Sequence, residues 1–155
     1  MLQRIQTVYL LAIVILSGVT LFSPWVGFYN AAEALGYMMD FKGITLLQRT
    51  GNILQSNVWG LTALVALVPI ISLFAIFKFK KRIIQLRLCI INMLVMASFY
   101  VLLFIYIWFA DRALDTEWHL KLVTVFPLIN MVLNYLAIRG IAKDEALVKS
   151  LDRLR

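Results

Sequence analysis

Cysteine and histidine are nearly absent from this sequence: Cys89 and His119 stand alone among 155 residues. One cysteine excludes an intramolecular disulfide, a CxxC redox pair and a cysteine zinc cluster, and with them the four-helix membrane oxidoreductases that pass electrons between cysteine pairs. One histidine excludes a two-histidine metal site within the chain. Charge is missing in a patterned way. Four long runs, about residues 5–22, 58–77, 88–110 and 122–138, contain no Asp, Glu, Lys, Arg or His. Proton-coupled small exporters need a carboxylate inside the membrane, and these runs hold none.

What the chain has in abundance is apolar surface. Apolar residues make up 63% of it, against roughly half in a soluble domain, and the mean hydropathy is +0.89. A chain this short cannot bury that excess in its own core. A membrane helix needs about 20 apolar residues to cross about 30 Å of hydrocarbon, so the four runs are read as four transmembrane spans of one domain. The first run is too long for a signal-peptide core and lacks a prompt cleavage site, so it is read as an uncleaved span.

Orientation follows from the basic residues. Eleven of the fifteen Lys and Arg fall in the N-terminus, the connection 78–87 and the tail 139–155. Positively charged segments stay cytoplasmic, which predicts N-in, C-in. Trp25, Trp59, Trp108 and Trp118 all border the opposite ends of the spans, where indole rings favour the outer interface. Lys78, Lys80, Lys81, Arg82 and Arg87 would then form a cytoplasmic basic surface. Its expected partner is anionic lipid of the inner leaflet, rather than nucleic acid.

Loop 23–57 carries too many apolar groups for a disordered tether. It is expected to form a small periplasmic cap or an irregular interfacial loop. Asn30 and Glu33 resemble a helix-capping pair with Gly36 as a stop, and Gly51-Asn52 suits the turn of a short β-hairpin between 44–50 and 53–58. Beyond Gly140 the tail reads as an amphipathic cytoplasmic helix. Its stripe of Leu147, Val148, Leu151 and Leu154 is suited to lipid or to a protein partner. The basic connection 78–87 is expected to repel this positively charged tail.

Polar residues inside the spans are the candidate site. Asn130 and Asn134 lie one turn apart in the fourth span, and Asn92 lies at the depth of Asn134. Thr7 and Ser72 fall at similar depth and could complete a polar layer. On the first span Gln3, Thr7 and Gly18 share a face assigned to the interior. A buried amide must find a partner, so Asn92 and Asn134 are expected to bond across the bundle, worth on the order of 1 kcal/mol per bond. Pro127 and Pro69 are expected to bend their helices and free a carbonyl each. Asp111, Asp115, Glu117 and His119 could hold a divalent cation, but Arg112 and Lys121 interleave with them and no ligand spacing fits. A solvated loop is the favoured reading.

Three stretches carry a family resemblance: MLQRIQTVYLL at the start, FKFKKRIIQLRLCIINML at the second connection and AIRGIAKDEALVKSLDRLR at the end. Together they resemble a Bacteroidota family of small four-span membrane proteins, a domain of unknown function (4293 type). The resemblance implies an all-α four-transmembrane-helix bundle in the inner membrane of a Gram-negative envelope. It carries over no catalytic, cofactor or metal residues. The functional expectation is a non-enzymatic accessory or scaffold subunit that packs beside another membrane or envelope protein. The alternative is a small oligomeric channel or transporter lined by the membrane asparagines.

Overall fold

The computed structural model describes residues 3–30, 35–47, 53–79, 81–114 and 116–152. In chain order the elements are α1 (Gln3–Phe22), β1 (Val26–Asn30), β2 (Leu35–Asp40), β3 (Gly43–Leu47), β4 (Ile53–Ser56), α2 (Trp59–Phe77), α3 (Arg82–Leu114), β5 (Glu117–Leu120) and α4 (Phe126–Asp152), with a 3-10 turn at Leu122–Val125. All four helices are long and apolar enough to cross a membrane. They form a ring in which α1 packs on α2 and α4, and α3 packs on the same two. Both strand-bearing connections lie at one end of the bundle. The start of α1, the short α2–α3 connection and the end of α4 lie at the other.

The buried positions explain the ring. In α1 they are Gln6, Leu10, Ile13, Ser17 and Thr20; in α2 they are Leu61, Val65, Val68, Ser72 and Ala75. Steps of four and three alternate, the spacing that keeps one helix face against its neighbours at a shallow crossing angle. α4 continues it with Asn130, Asn134, Ala137, Ile141 and Asp144. The inward face is therefore the more polar one, while Ile15, Phe74, Leu94, Val101 and Val132 point outward and stay exposed. Such an inverted distribution is stable when the outward face meets lipid rather than water.

Loop 23–57 is not a lone hairpin. It supplies four strands of a five-stranded antiparallel sheet ordered β4-β3-β2-β1-β5. Period-two alternation puts Val26 and Phe28, Tyr37 and Met39, and Ile44 and Leu46 on one face. The register sets Val26 opposite Met39 and Phe28 opposite Tyr37, then Tyr37 opposite Leu46 and Met39 opposite Ile44. This apolar face packs on Leu61 and Val65 of α2 and on Phe99, Leu103, Ile107 and Ala110 of α3. Asp40 shapes the β2–β3 turn by accepting the amides of Lys42 at 2.9 Å and Gly43 at 3.3 Å. Gly43 has φ 142, which a side chain would resist. Thr62 of α2 donates to the Phe41 carbonyl of that turn at 2.8 Å, tying sheet to bundle.

Several expectations are corrected. Asn30 ends β1 and Leu35-Gly36 begins β2; the helix expected between them would fall on residues 31–34, which lie outside the described residues. β3 and β4 pair as a hairpin, but Leu46 lies opposite Ile53, where a two-residue Gly51-Asn52 turn would have set Thr50; residues 48–52 lie outside the described residues. The fifth strand comes from the loop read as solvated: Glu117–Leu120 pairs with β1, ninety residues earlier. α3 begins at Arg82, not near 88, because nothing from Arg82 to Arg87 breaks a helix and Arg82, Gln85, Leu86 and Arg87 are good formers. α4 runs unbroken through Gly140 to Asp152, so there is no separate tail helix. Gly140 is a close-approach position: a Cβ there would lie 3.1 Å from Gln6 Cγ. Pro127 falls in the first turn of α4, where its missing N–H leaves no helical bond unmade; Pro69 does lie inside α2.

Trp25 also departs from the interfacial reading. It is fully buried, whereas Trp59, Trp108 and Trp118 are exposed. Its indole N–H donates to the Thr20 carbonyl at 2.7 Å, satisfying one of the carbonyls left open at the end of α1. Its ring meets Phe99 edge-on at 5.8 Å.

Candidate functional site

The inward helix faces bring together a polar seam that runs the length of the bundle. Near the sheet, Thr124 donates to the Trp25 carbonyl and Tyr100 donates to the Thr124 carbonyl at 2.7 Å. Below this lies a cavity of about 10 Å³ lined by Ser17, Thr20, Pro127 and Asn130 together with Val65, Val68, Met96 and Phe99. It has room for about one water molecule. Both hydroxyls here turn back on their own helix: Ser17 donates to Ile13 O at 2.6 Å and Thr20 to Leu16 O at 2.8 Å.

The amides come next. Asn92 Nδ2 donates to Ser72 Oγ at 2.9 Å, linking α3 to α2. Asn134 Nδ2 donates to the Cys89 carbonyl at 2.7 Å, linking α4 to α3. Asn92 and Asn134 therefore do not bond each other. Asn134 instead reaches a carbonyl one turn from Asn92, and Asn92 bonds across to α2. The Oδ1 atoms of Asn92, Asn130 and Asn134 are buried and receive no donor from the protein. All three amides thus keep acceptor capacity on the interior side, which a donor such as water can meet.

The seam closes at the end away from the sheet. Gln6 Nε2 donates to Asp144 Oδ2 at 2.8 Å, and Arg82 Nη1 donates to the Asp144 carbonyl at 2.8 Å. Helices α1, α3 and α4 meet at this one residue. Thr7 does not join the asparagine layer; it is half-buried beside Arg82, Gln85 and Phe79 in a second small cavity. Gly18 is not on the inward face, and Gln3's side chain lies outside those described. The interior face of α1 is instead set by Gln6, Ser17 and Thr20.

Lys78, Lys81 and Arg87 are exposed, while Lys80 lies outside the described residues. Arg82 is the exception, because it is drawn in to cap Asp144. The α2–α3 connection and the start of the tail thus hold each other, and the expected repulsion is outweighed by a charged hydrogen bond. Leu147 is half-exposed; the side chains of Val148, Leu151 and Leu154 lie outside those described. Asp111 is on α3, while Glu117 and His119 are on β5, and Asp115 is outside the described residues. Among the described residues no three His, Cys, Asp or Glu come together as a metal site.

Gln6, Gln85, Thr124 and Asp144 are seam residues that depth matching along the spans missed. Their signal was phase: Gln6, Gln85 and Asp144 fall on the alternating four-and-three spacing of the buried positions, and Thr124 lies three residues before buried Pro127.

This architecture defines a class, a multi-pass four-helix membrane protein carrying a small β-sheet at one end and a polar seam inside. More particularly, the chain belongs to the family described as a domain of unknown function, DUF4293, which matches residues 2–154. Among curated proteins none matches the chain.

Proposed function

We propose that this protein is a non-enzymatic accessory or scaffold subunit of an envelope complex, set in the bacterial inner membrane with both termini cytoplasmic and the sheet in the periplasm. The observation that carries the reading is the closure of the seam. The Ser17 and Thr20 hydroxyls bond back to their own helix, the Asn92 and Asn134 amides cross to neighbouring helices, and the cavity beside Asn130 holds only about 10 Å³. A solute handled within the seam would need a larger enclosed site, on the order of 300 Å³ for a small molecule; the larger hollow of about 460 Å³, lined by Ile44, Ser56, Tyr106, Phe109 and Ala113, lies outside the seam, between the sheet and α3. The rigid bundle instead presents a folded sheet on one side and exposed cations on the other.

The orientation rests on charge. Lys78, Lys81, Arg87, Arg139 and Lys143 are all exposed at the end away from the sheet, so that end faces the cytoplasm and its anionic lipid. An oligomeric channel is the weaker alternative. Asn92, Asn130 and Asn134 are buried inside one chain's bundle, so they face no neighbouring copy and could not line a pore between copies.

The test is affinity isolation of the full chain from native membranes in mild detergent. A reproducible, stoichiometric envelope partner is expected. Isolation without any companion protein, together with solute flux through vesicles carrying the purified chain, would overturn the reading.

A further inference from the structure

The sheet ends in β5, an edge strand. Glu117, Trp118, His119 and Leu120 are all exposed, and among the described residues only β1 borders this strand. Lys121 continues it with φ -81 and ψ 153. Its carbonyl accepts the Thr124 amide at 3.0 Å, but its amide donates to the Trp25 carbonyl at 3.0 Å, so of its backbone groups the N–H points toward β1. Alternation along an antiparallel ladder then turns those of His119 and Glu117 the same way. The backbone N–H and C=O of Trp118 and Leu120 consequently face the open edge, where a strand without a neighbour is a template for another chain.

We propose that a second copy of this chain occupies that edge, joining two sheets through antiparallel β5 strands related by a two-fold axis at His119. Only residues that direct their backbone groups outward can form hydrogen-bonded pairs, which restricts the register. Centring on His119 pairs Trp118 of each copy with Leu120 of the other, so every outward group of β5 is used. The same register sets Glu117 of each copy opposite Lys121 of the other, and this charge match selects the occupant. Registers centred on Trp118 or Leu120 leave Glu117 without its opposite charge. Opposite charges facing across antiparallel strands are favourable, and like charges there are unfavourable. The axis runs perpendicular to the joined sheet, so both copies present their helix-packed faces to the same side. This inference stands apart from the scaffold reading: the pairing can exist with or without a third partner.

Cysteine cross-linking of the full chain in native membranes tests it, with buried Cys89 as the background. His119→Cys should give a disulfide-linked dimer on mild oxidation, because residues at the centre of this register face each other as a closely spaced pair. Glu117→Cys and Lys121→Cys should each fail alone, whereas Glu117→Cys combined with Lys121→Cys should cross-link. As a second arm, Glu117→Lys in the His119→Cys background should lower the dimer yield severalfold, and adding Lys121→Glu should restore it. Two results would overturn the proposal: no dimer from His119→Cys, or equal dimer from Glu117→Cys alone, which would mean random collision.

Discussion

The bond between Asn92 and Ser72 can be isolated by a double-mutant cycle. The Asn92 amide donates to the Ser72 hydroxyl at 2.9 Å in a fully buried setting. Interhelical hydrogen bonds in membranes average about 0.6 kcal/mol and reach about 1.7. Ser72→Ala leaves the whole Asn92 amide unpaired, since its Oδ1 has no protein donor in the native fold either. The single change should therefore destabilise by about 1–3 kcal/mol, the range for a buried polar group stripped of its partner. Asn92→Ala should be costly in the native background and much milder once Ser72 is alanine, because it then removes an amide that has nothing to bond. The coupling is expected near 1 kcal/mol, about fivefold in the unfolding equilibrium. Unfolding by denaturant titration in a mild detergent, followed by helical signal, measures all four corners. Ser72→Ala with Asn134→Ala is the control, since Asn134 bonds the Cys89 carbonyl instead, and these two should add within about 0.5 kcal/mol. Additivity of Asn92 with Ser72, or stronger coupling in the control, would refute the pairing.

Three other substitutions follow from close contacts. Gly27→Ala should leave the melting temperature nearly unchanged in detergent, because its Cβ would meet only the tip of the exposed His119 ring, which can swing aside; a large drop would show that the ring is held. Trp25→Phe should destabilise by about 1–3 kcal/mol in detergent denaturation, because the buried Thr20 carbonyl loses its indole donor. Gly140→Val should also destabilise: although glycine is disfavoured in a helix by about 1 kcal/mol, a Cβ at this position would crowd Gln6 and lever it from Asp144. A rise in stability for this last variant would show that helix propensity outweighs that contact.

The four apolar runs were legible because nothing but a bilayer accommodates them, and the asparagines stood out against them. The boundaries were less visible. Arg82 and Arg87 look like loop residues to a hydropathy reading, yet arginine sits comfortably in a helix once that helix has left the hydrocarbon. Gly140 looked like a helix stop because glycine often is one; here its missing side chain makes room for Gln6 from the other end of the sequence. The sheet was half legible. The apolar segments of β3 and β4 announced their pairing, although not its register, but β5 is four residues long with Glu and His in it, and only its distant partner β1 makes it a strand. Depth matching named Asn92 and Asn134 correctly as interior residues and mispaired them, because depth says nothing about which way a side chain points. Helical phase would have separated Thr7 from the layer and brought in Gln6 and Asp144.

The orientation of the bundle underlies the reading of the sheet as periplasmic and of the basic end as cytoplasmic. Lys42, in the β2–β3 turn, and Lys81, in the α2–α3 connection, are both exposed at opposite ends of the molecule. Single variants Lys42→Cys and Lys81→Cys, treated in spheroplasts with a membrane-impermeant maleimide, report each end directly, with buried Cys89 contributing little signal. Labelling of Lys42→Cys in intact spheroplasts, with Lys81→Cys labelled only after permeabilisation, is the predicted result. Labelling of Lys81→Cys before permeabilisation, with Lys42→Cys protected, would invert the protein in the membrane and contradict the account.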